Sequence, residues 1–122
     1  MLSRTETIAL EGIQGRKICI ETDIAFGLPY FTVIGLPDTS VKEASERVRR
    51  AIVNSGFNYP KGRVTVNLSP AYIHKKGSHY DLGIAMGILA ASEEICQRKG
   101  KRIFIGELSL DGKVLSLSLI HI

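Results

Sequence analysis

The sequence predicts an α/β domain of the α+β type, built on a mixed sheet with two main helices. Three observations predict it: apolar residues alternate with period two over residues 17–24 and Arg63–Ser69, a helical stripe begins after Pro37, and a nearly all-apolar helical stretch starts at Asp81. The chain has 122 residues, enough for one domain to bury a core without disulfides or structural metal. Hydrophobic residues make up 44% and charged residues 23%, a globular composition that argues against disorder.

Residues 7–10 read as a short strand and residues 17–24 as a second, with Ile18, Ile20 and Ile24 on one face against Cys19, Glu21 and Asp23. Gln14-Gly15 between them suits a hairpin turn. Phe26-Gly27-Leu28-Pro29 leads into a third strand over Tyr30–Ile34, aromatic and β-branched, closed by Gly35-Leu36-Pro37. Pro37-Asp38-Thr39-Ser40 then opens the first helix, where Ser40 and Glu43 have capping-box spacing. Its apolar stripe is Val41, Ala44, Val48, Ala51 and Ile52, and its wet side pairs Glu43 with Arg47 and Glu46 with Arg50 at the i,i+4 spacing. Ser55-Gly56 ends it.

In Arg63–Ser69, Val64, Val66 and Leu68 face one way and the polar residues the other, until Pro70 stops the strand. A polar loop, His74-Lys75-Lys76-Gly77-Ser78, precedes a second helix over residues 81–95, apolar almost all round through Leu82, Ile84, Met86, Ile88 and Leu89 and therefore expected to be buried. The basic turn Arg98-Lys99-Gly100-Lys101-Arg102 precedes a strand over residues 103–110, and Asp111-Gly112 signals a hairpin whose partner strand should follow. Instead the chain ends in Leu117-Ser118-Leu119-Ile120-His121-Ile122, a hexapeptide that one reading frame of a transposon-derived sequencing adapter encodes. The expected division is thus a domain over residues 1–116, incomplete on its carboxy-terminal side, and an adapter-derived tail over residues 117–122. The alternative is a genuine last strand.

Sixteen basic against twelve acidic residues give a net charge of +4, which favours a polyanion such as DNA where the charge gathers on one face. No basic region followed by an apolar run opens the chain and no apolar stretch is long enough to span a bilayer, so a cytoplasmic protein without membrane contact is expected. Cys19 and Cys96 lie far apart and read as free thiols in a reducing compartment.

Tests for chemistry are largely negative. A Walker A loop is absent, since Gly106 to Lys113 has one residue too many between its glycines and Val114 where a hydroxyl should hold magnesium. No metal site is expected: His74 and His79, with Asp81 nearby, form a poor set and read as surface histidines beside a helix start. Ser78 and His79 are adjacent, and neighbours in a chain seldom reach nucleophile and base geometry. Asp81 reads as a carboxylate favoured by free amides and the dipole at a helix start. Candidate DNA contacts are Lys75 and Lys76, on a glycine-containing loop at a helix start, and Arg47 and Arg50 on the first helix, although the arginines are partly occupied by glutamates.

One ordered series of motifs reaches further. Gly27-Leu28-Pro29-Tyr30-Phe31-Thr32-Val33-Ile34-Gly35-Leu36-Pro37-Asp38, Val41-Lys42-Glu43-Ala44, Arg47-Val48-Arg49 and Asn54-Ser55-Gly56-Phe57 are followed by Val64-Thr65-Val66-Asn67-Leu68-Ser69-Pro70-Ala71, Lys76-Gly77, Tyr80-Asp81-Leu82-Gly83-Ile84-Ala85 and Gly106-Glu107-Leu108-Ser109-Leu110-Asp111-Gly112. This series closely resembles the amino-terminal domain of the ComM/YifB group of magnesium-chelatase-like (ChlI-like) AAA+ ATPases.

The resemblance implies a Lon-protease-like fold standing before an AAA+ motor, with ATP and magnesium bound in the motor and none in this segment. It implies a hexameric parent that moves branched DNA in recombination and natural transformation, with this domain contacting DNA or assembling the ring. In Lon proteases the corresponding loop carries a catalytic serine activated by a lysine further along. Here Gly77-Ser78-His79-Tyr80-Asp81-Leu82 replaces that pattern, with His79 in the serine's place, so no catalytic residue is expected. The alternatives are a degenerate serine peptidase domain and a protein-interaction module that touches no DNA. Metal insertion into a porphyrin is disfavoured, since nothing resembles a tetrapyrrole pocket.

Overall fold

A computed structural model describes residues 1–11, 14–71, 73, 75, 77–95 and 102–115. Strands β1 (Leu2–Glu11) and β2 (Gln14–Ala25) pair antiparallel, in register from Leu2 opposite Asp23 to Glu11 opposite Gln14. Strand β3 (Tyr30–Ile34) leads through helix α1 (Asp38–Asn54) to strand β4 (Arg63–Ser69), which lies parallel to β3 and antiparallel to β2. The crossover through α1 is what a parallel pair requires, because a tight turn cannot reverse direction twice. The mixed sheet has the order β1-β2-β4-β3. Helix α2 (Asp81–Ala91) follows, then a short hairpin of β5 (Glu107–Leu108) and β6 (Val114–Leu115).

Both helices cover one face of the sheet. Ile18 and Ile20 of β2, Val64, Val66 and Leu68 of β4 and Val33 of β3 point into it, meeting Val48, Ala51 and Ile52 of α1 and Ile84, Ile88 and Leu89 of α2 in one core. The opposite face is polar and carries no helix among the described residues. There Glu21 accepts from Arg4 at 3.2 Å and from Asn67 at 3.2 Å, and Lys17 lies 3.2 Å from Glu6.

The contact between α2 and the β1–β2 hairpin is a seam of small residues. A Cβ at Gly83 would stand 2.5 Å from Ile20 Cδ1, and one at Gly87 would stand 2.5 Å from Thr22 Oγ1, so the helix approaches the sheet more closely than any larger residue allows. Strand β1 supplies hydroxyls there: Ser3 Oγ donates to the Gly87 carbonyl at 2.6 Å and Thr5 Oγ1 to the Gly83 carbonyl at 2.9 Å.

Several local expectations are corrected. Gln14-Gly15 is no turn but ladder, with Gln14 opposite Glu11 and Gly15 opposite Leu10. Strand β1 is ten residues long where only residues 7–10 read as strand, because its buried alternation is written in Ser3, Thr5 and Thr7 and not in apolar residues. Helix α1 begins at Asp38 behind Pro37, with no side-chain cap, so Ser40 lies inside the first turn and forms no capping box. Helix α2 stops at Ala91, where Ser92 Oγ donates back to the Ile88 carbonyl at 2.8 Å and Glu93 takes a positive φ. The strand expected over residues 103–110 contracts to Glu107–Leu108 plus a single parallel bridge from Ile103 to Glu6. The tail at 117–122 and the basic residues 98–101 lie outside the described residues.

Candidate functional site

The residues with chemical capacity gather where the loop after β4 enters α2. Lys75 is reached first, and its expected role as an exposed cation is corrected. Only 3% of the residue is exposed, and its Nζ donates to the Pro70 carbonyl at 2.7 Å and the Ile73 carbonyl at 2.8 Å. Burial pushes the ammonium below its ordinary pKa. Lys75 is therefore a tie that closes its own loop. Lys76 and His74 lie outside the described residues.

Ser78 and His79 diverge. Ser78 Oγ donates to Glu107 Oε1 across to β5, while His79 Nε2 meets the Ile8 carbonyl of β1 at 2.9 Å. A carbonyl only accepts, so that contact places the proton on Nε2. The histidine expected at the surface is in fact buried, its ring 4.1 Å from that of Tyr80, and burial pushes its pKa down despite the Ile8 bond, which keeps the ring neutral. Its backbone is tied as well: Gly106 N donates to the His79 carbonyl at 2.9 Å, and Leu82 N to the Gly106 carbonyl at 3.0 Å.

Asp81 does more than favour a helix dipole. It is 1% exposed and holds Arg47 of α1 in a fork, Nε at 2.6 Å and Nη2 at 3.1 Å, while Oδ2 also accepts from the Leu108 amide at 3.2 Å. Burial pushes its carboxyl up, and the Arg47 guanidinium and the Leu108 amide pull against that. The Asp81 bond raises the Arg47 guanidinium in turn. The forked geometry is that of an ionised carboxylate with a guanidinium. One carboxylate thus joins α1, α2 and β5.

Lys75, Arg47 and Arg50, the candidate DNA contacts among the described residues, form no common patch. Arg47 is turned inward on Asp81, with Glu43 3.8 Å away, whereas Arg50 lies on the wet side with Glu46 at 3.9 Å. Cys19 is half-buried on the open sheet face, its thiol pushed up by burial and by Glu21. Cys96 lies outside the described residues.

The nearest glycine pair does not fit a nucleotide. A phosphate cradle needs free backbone donors, but the Gly106 amide is held by His79, the Gly112 amide by the Ser109 carbonyl at 3.0 Å, and the Lys113 amide by Ser109 Oγ at 3.1 Å. Glu107 is the partner that sequence reasoning missed; nothing local marks a lone glutamate 29 residues from Ser78.

Comparison with known proteins places this arrangement. The family profile described as subunit ChlI of Mg-chelatase matches residues 20–121. The protein named YifB of Escherichia coli is 47% identical over 112 residues, covering 91% of this chain and 22% of its own length. Competence protein ComM of Haemophilus influenzae is 46% identical over 104 residues, covering 84% of this chain and 20% of its own. A Mycobacterium tuberculosis protein is 41% identical over 114 residues, covering 93% and 23%. The chain spans about a fifth of the length of the curated relatives it matches, in their amino-terminal part. It belongs to the Mg-chelatase ChlI-like family, among the relatives of YifB and ComM.

Proposed function

We propose that this chain is a non-catalytic accessory domain of a longer AAA+ ATPase that acts on DNA in recombination and natural transformation, where it assembles the hexameric ring or holds DNA. One observation supports the non-catalytic part: the three described groups at the start of α2 that could serve a hydrolase are each committed to an internal partner. Ser78 is held by Glu107, His79 by the Ile8 carbonyl and Asp81 by Arg47. A serine nucleophile needs a base that a third group orients; Ser78 donates to the Glu107 carboxylate, while the neighbouring His79 is turned away from it to the Ile8 carbonyl and cannot complete a triad with it.

The DNA part is supported by the likeness to a protein named for competence and by the net charge of +4. ATP and magnesium belong, on this reading, to a motor outside this chain, and the parent works in the cytoplasm. The Lon-like serine peptidase is the competing reading. It predicts cleavage of a fluorescent casein that is abolished by Ser78→Ala; we expect no cleavage by either form.

The decisive experiment uses a full-length relative of the YifB or ComM type with the segment matching residues 1–115 deleted. Loss of ring assembly in sedimentation, or of DNA-stimulated ATP hydrolysis, with basal hydrolysis retained, is the expected result. Unchanged assembly and unchanged stimulation would overturn the reading.

A further inference from the structure

The loop joining β2 to β3, with the first residue of β3, carries the most exposed large apolar side chains of the described residues: Phe26 at 102%, Leu28 at 85% and Tyr30 at 60%. A ring as exposed as Phe26 rests on nothing of its own chain, so both of its faces are open. Three apolar side chains held in water on a five-residue stretch make up a patch, beyond the scattered single exposures that a surface normally shows.

The base of this loop is pinned. Arg63 stands at the start of β4, opposite Ala25 of β2 on one side and opposite Tyr30 of β3 on the other. The Tyr30 amide donates to the Gly62 carbonyl at 3.2 Å. Gly62, at a φ of +113°, lets Ala25 approach to where a Cβ would stand 2.5 Å from the Ala25 carbonyl oxygen. The Arg63 stem crosses Gly27, where a Cβ would meet its Cδ at 3.1 Å. Phe26, Gly27, Leu28, Pro29, Tyr30 and Arg63 thereby line one shallow cleft that contains no carboxylate. Lys61 and Arg63 are exposed, and neither side chain has an ion-pair or hydrogen-bond partner among the described residues.

We propose that Phe26, Leu28 and Tyr30, with Lys61 and Arg63, form a binding site for single-stranded DNA, in which bases stack on the two rings and the cations meet the phosphates. Open aromatic faces beside unpaired cations are the combination that holds a single strand without reading its sequence. A duplex offers the same phosphates but keeps its base faces stacked within, so the rings select the unpaired strand. This inference rests on the DNA part of the function proposed above and supplies a contact surface that Lys75 and Arg47, both turned inward, do not.

The test uses the whole 122-residue chain and a short fluorescein-labelled oligothymidylate, with anisotropy followed across a salt series. Binding that weakens as salt rises is expected. Phe26→Ala and Tyr30→Ala should each reduce affinity about tenfold, while Phe26→Tyr retains it. Arg63→Gln should lessen the slope of log affinity against log salt by about 0.7. The same strand annealed to its complement should bind more weakly and ignore Phe26→Ala. Unchanged urea midpoints establish that the variants are folded.

Absence of binding at low salt, or equal binding by the alanine variants and the native chain, overturns the proposal. So does self-association that disappears with Phe26→Ala while DNA affinity stays constant, because the patch is then a protein interface. None of these results touches the accessory role itself, which falls only if deletion of the domain leaves ring assembly and DNA-stimulated hydrolysis intact.

Discussion

Asp81 and Arg47 form an asymmetric pair, since the carboxylate side chain is 1% exposed and the guanidinium side chain 23%. Removing Arg47 strands a buried charge, whereas removing Asp81 leaves a cation that can turn to water and to Glu43. Arg47→Ala should therefore cost about 3 kcal/mol in urea unfolding, and Asp81→Ala distinctly less. Arg47→Lys should recover only part of the loss, because an ammonium cannot fork. His79 yields a pH signature. Its folded pKa is depressed by burial, so the unfolded chain binds the extra proton first as pH falls through about 6.5, and stability declines there. The slope approaches about 1.4 kcal/mol per pH unit for this one group. His79→Gln should remove that component of the slope in urea titrations between pH 7 and about 5.

The seam between α2 and the β1–β2 hairpin decides how these elements pack. Thr7 and Thr22 bury hydroxyls that lack a hydrogen-bond partner among the described residues, which costs stability that an isosteric methyl would not. Thr22→Val should accordingly raise the unfolding free energy by about 1 kcal/mol. Gly87→Ala should lower it by about 2 kcal/mol, because the new methyl meets the stiff, fully buried Thr22 side chain. Gly83→Ala should cost less, since it meets only the far end of Ile20, which can swing aside. Thermal unfolding of the three variants orders these effects. The apolar halves of the elements were readable in the sequence: the stripe of α1 buries Ala44, Val48, Ala51 and Ile52, as its spacing demands. Strand β1 was readable only at its end, because Ser3 and Thr5 look like a solvated segment until the Gly87 and Gly83 carbonyls that receive them are known.

Across the whole molecule, stability depends on segments distant in the chain. Ser3 reaches Gly87 across 84 positions, Thr5 reaches Gly83 across 78, and His79 reaches Ile8 across 71. Strand β1 is therefore no detachable edge. A chain lacking residues 1–11 should lose its cooperative urea transition, and circular dichroism should show α2 unfolding with the sheet, because an all-apolar helix cannot stand in water alone. Among the described residues no helix is long and apolar enough to cross a membrane.

The mixed α/β class, the core-facing residues of β2, β4, α1 and α2, and the family were all legible in the sequence, because periodicity and long ordered motifs are local properties of a chain. The roles of the polar residues emerge only from how the chain packs. Lys75, His79 and Asp81 had been legible as a loop cation, a surface ring and a dipole partner. The Ile8 carbonyl that holds His79 and the Arg47 guanidinium that holds Asp81 lie 71 and 34 residues away, while Lys75 folds back on the Pro70 and Ile73 carbonyls of its own loop. A polar side chain carries no mark of whether its partner is water or a distant backbone atom, and that choice rests on packing, which no local pattern records.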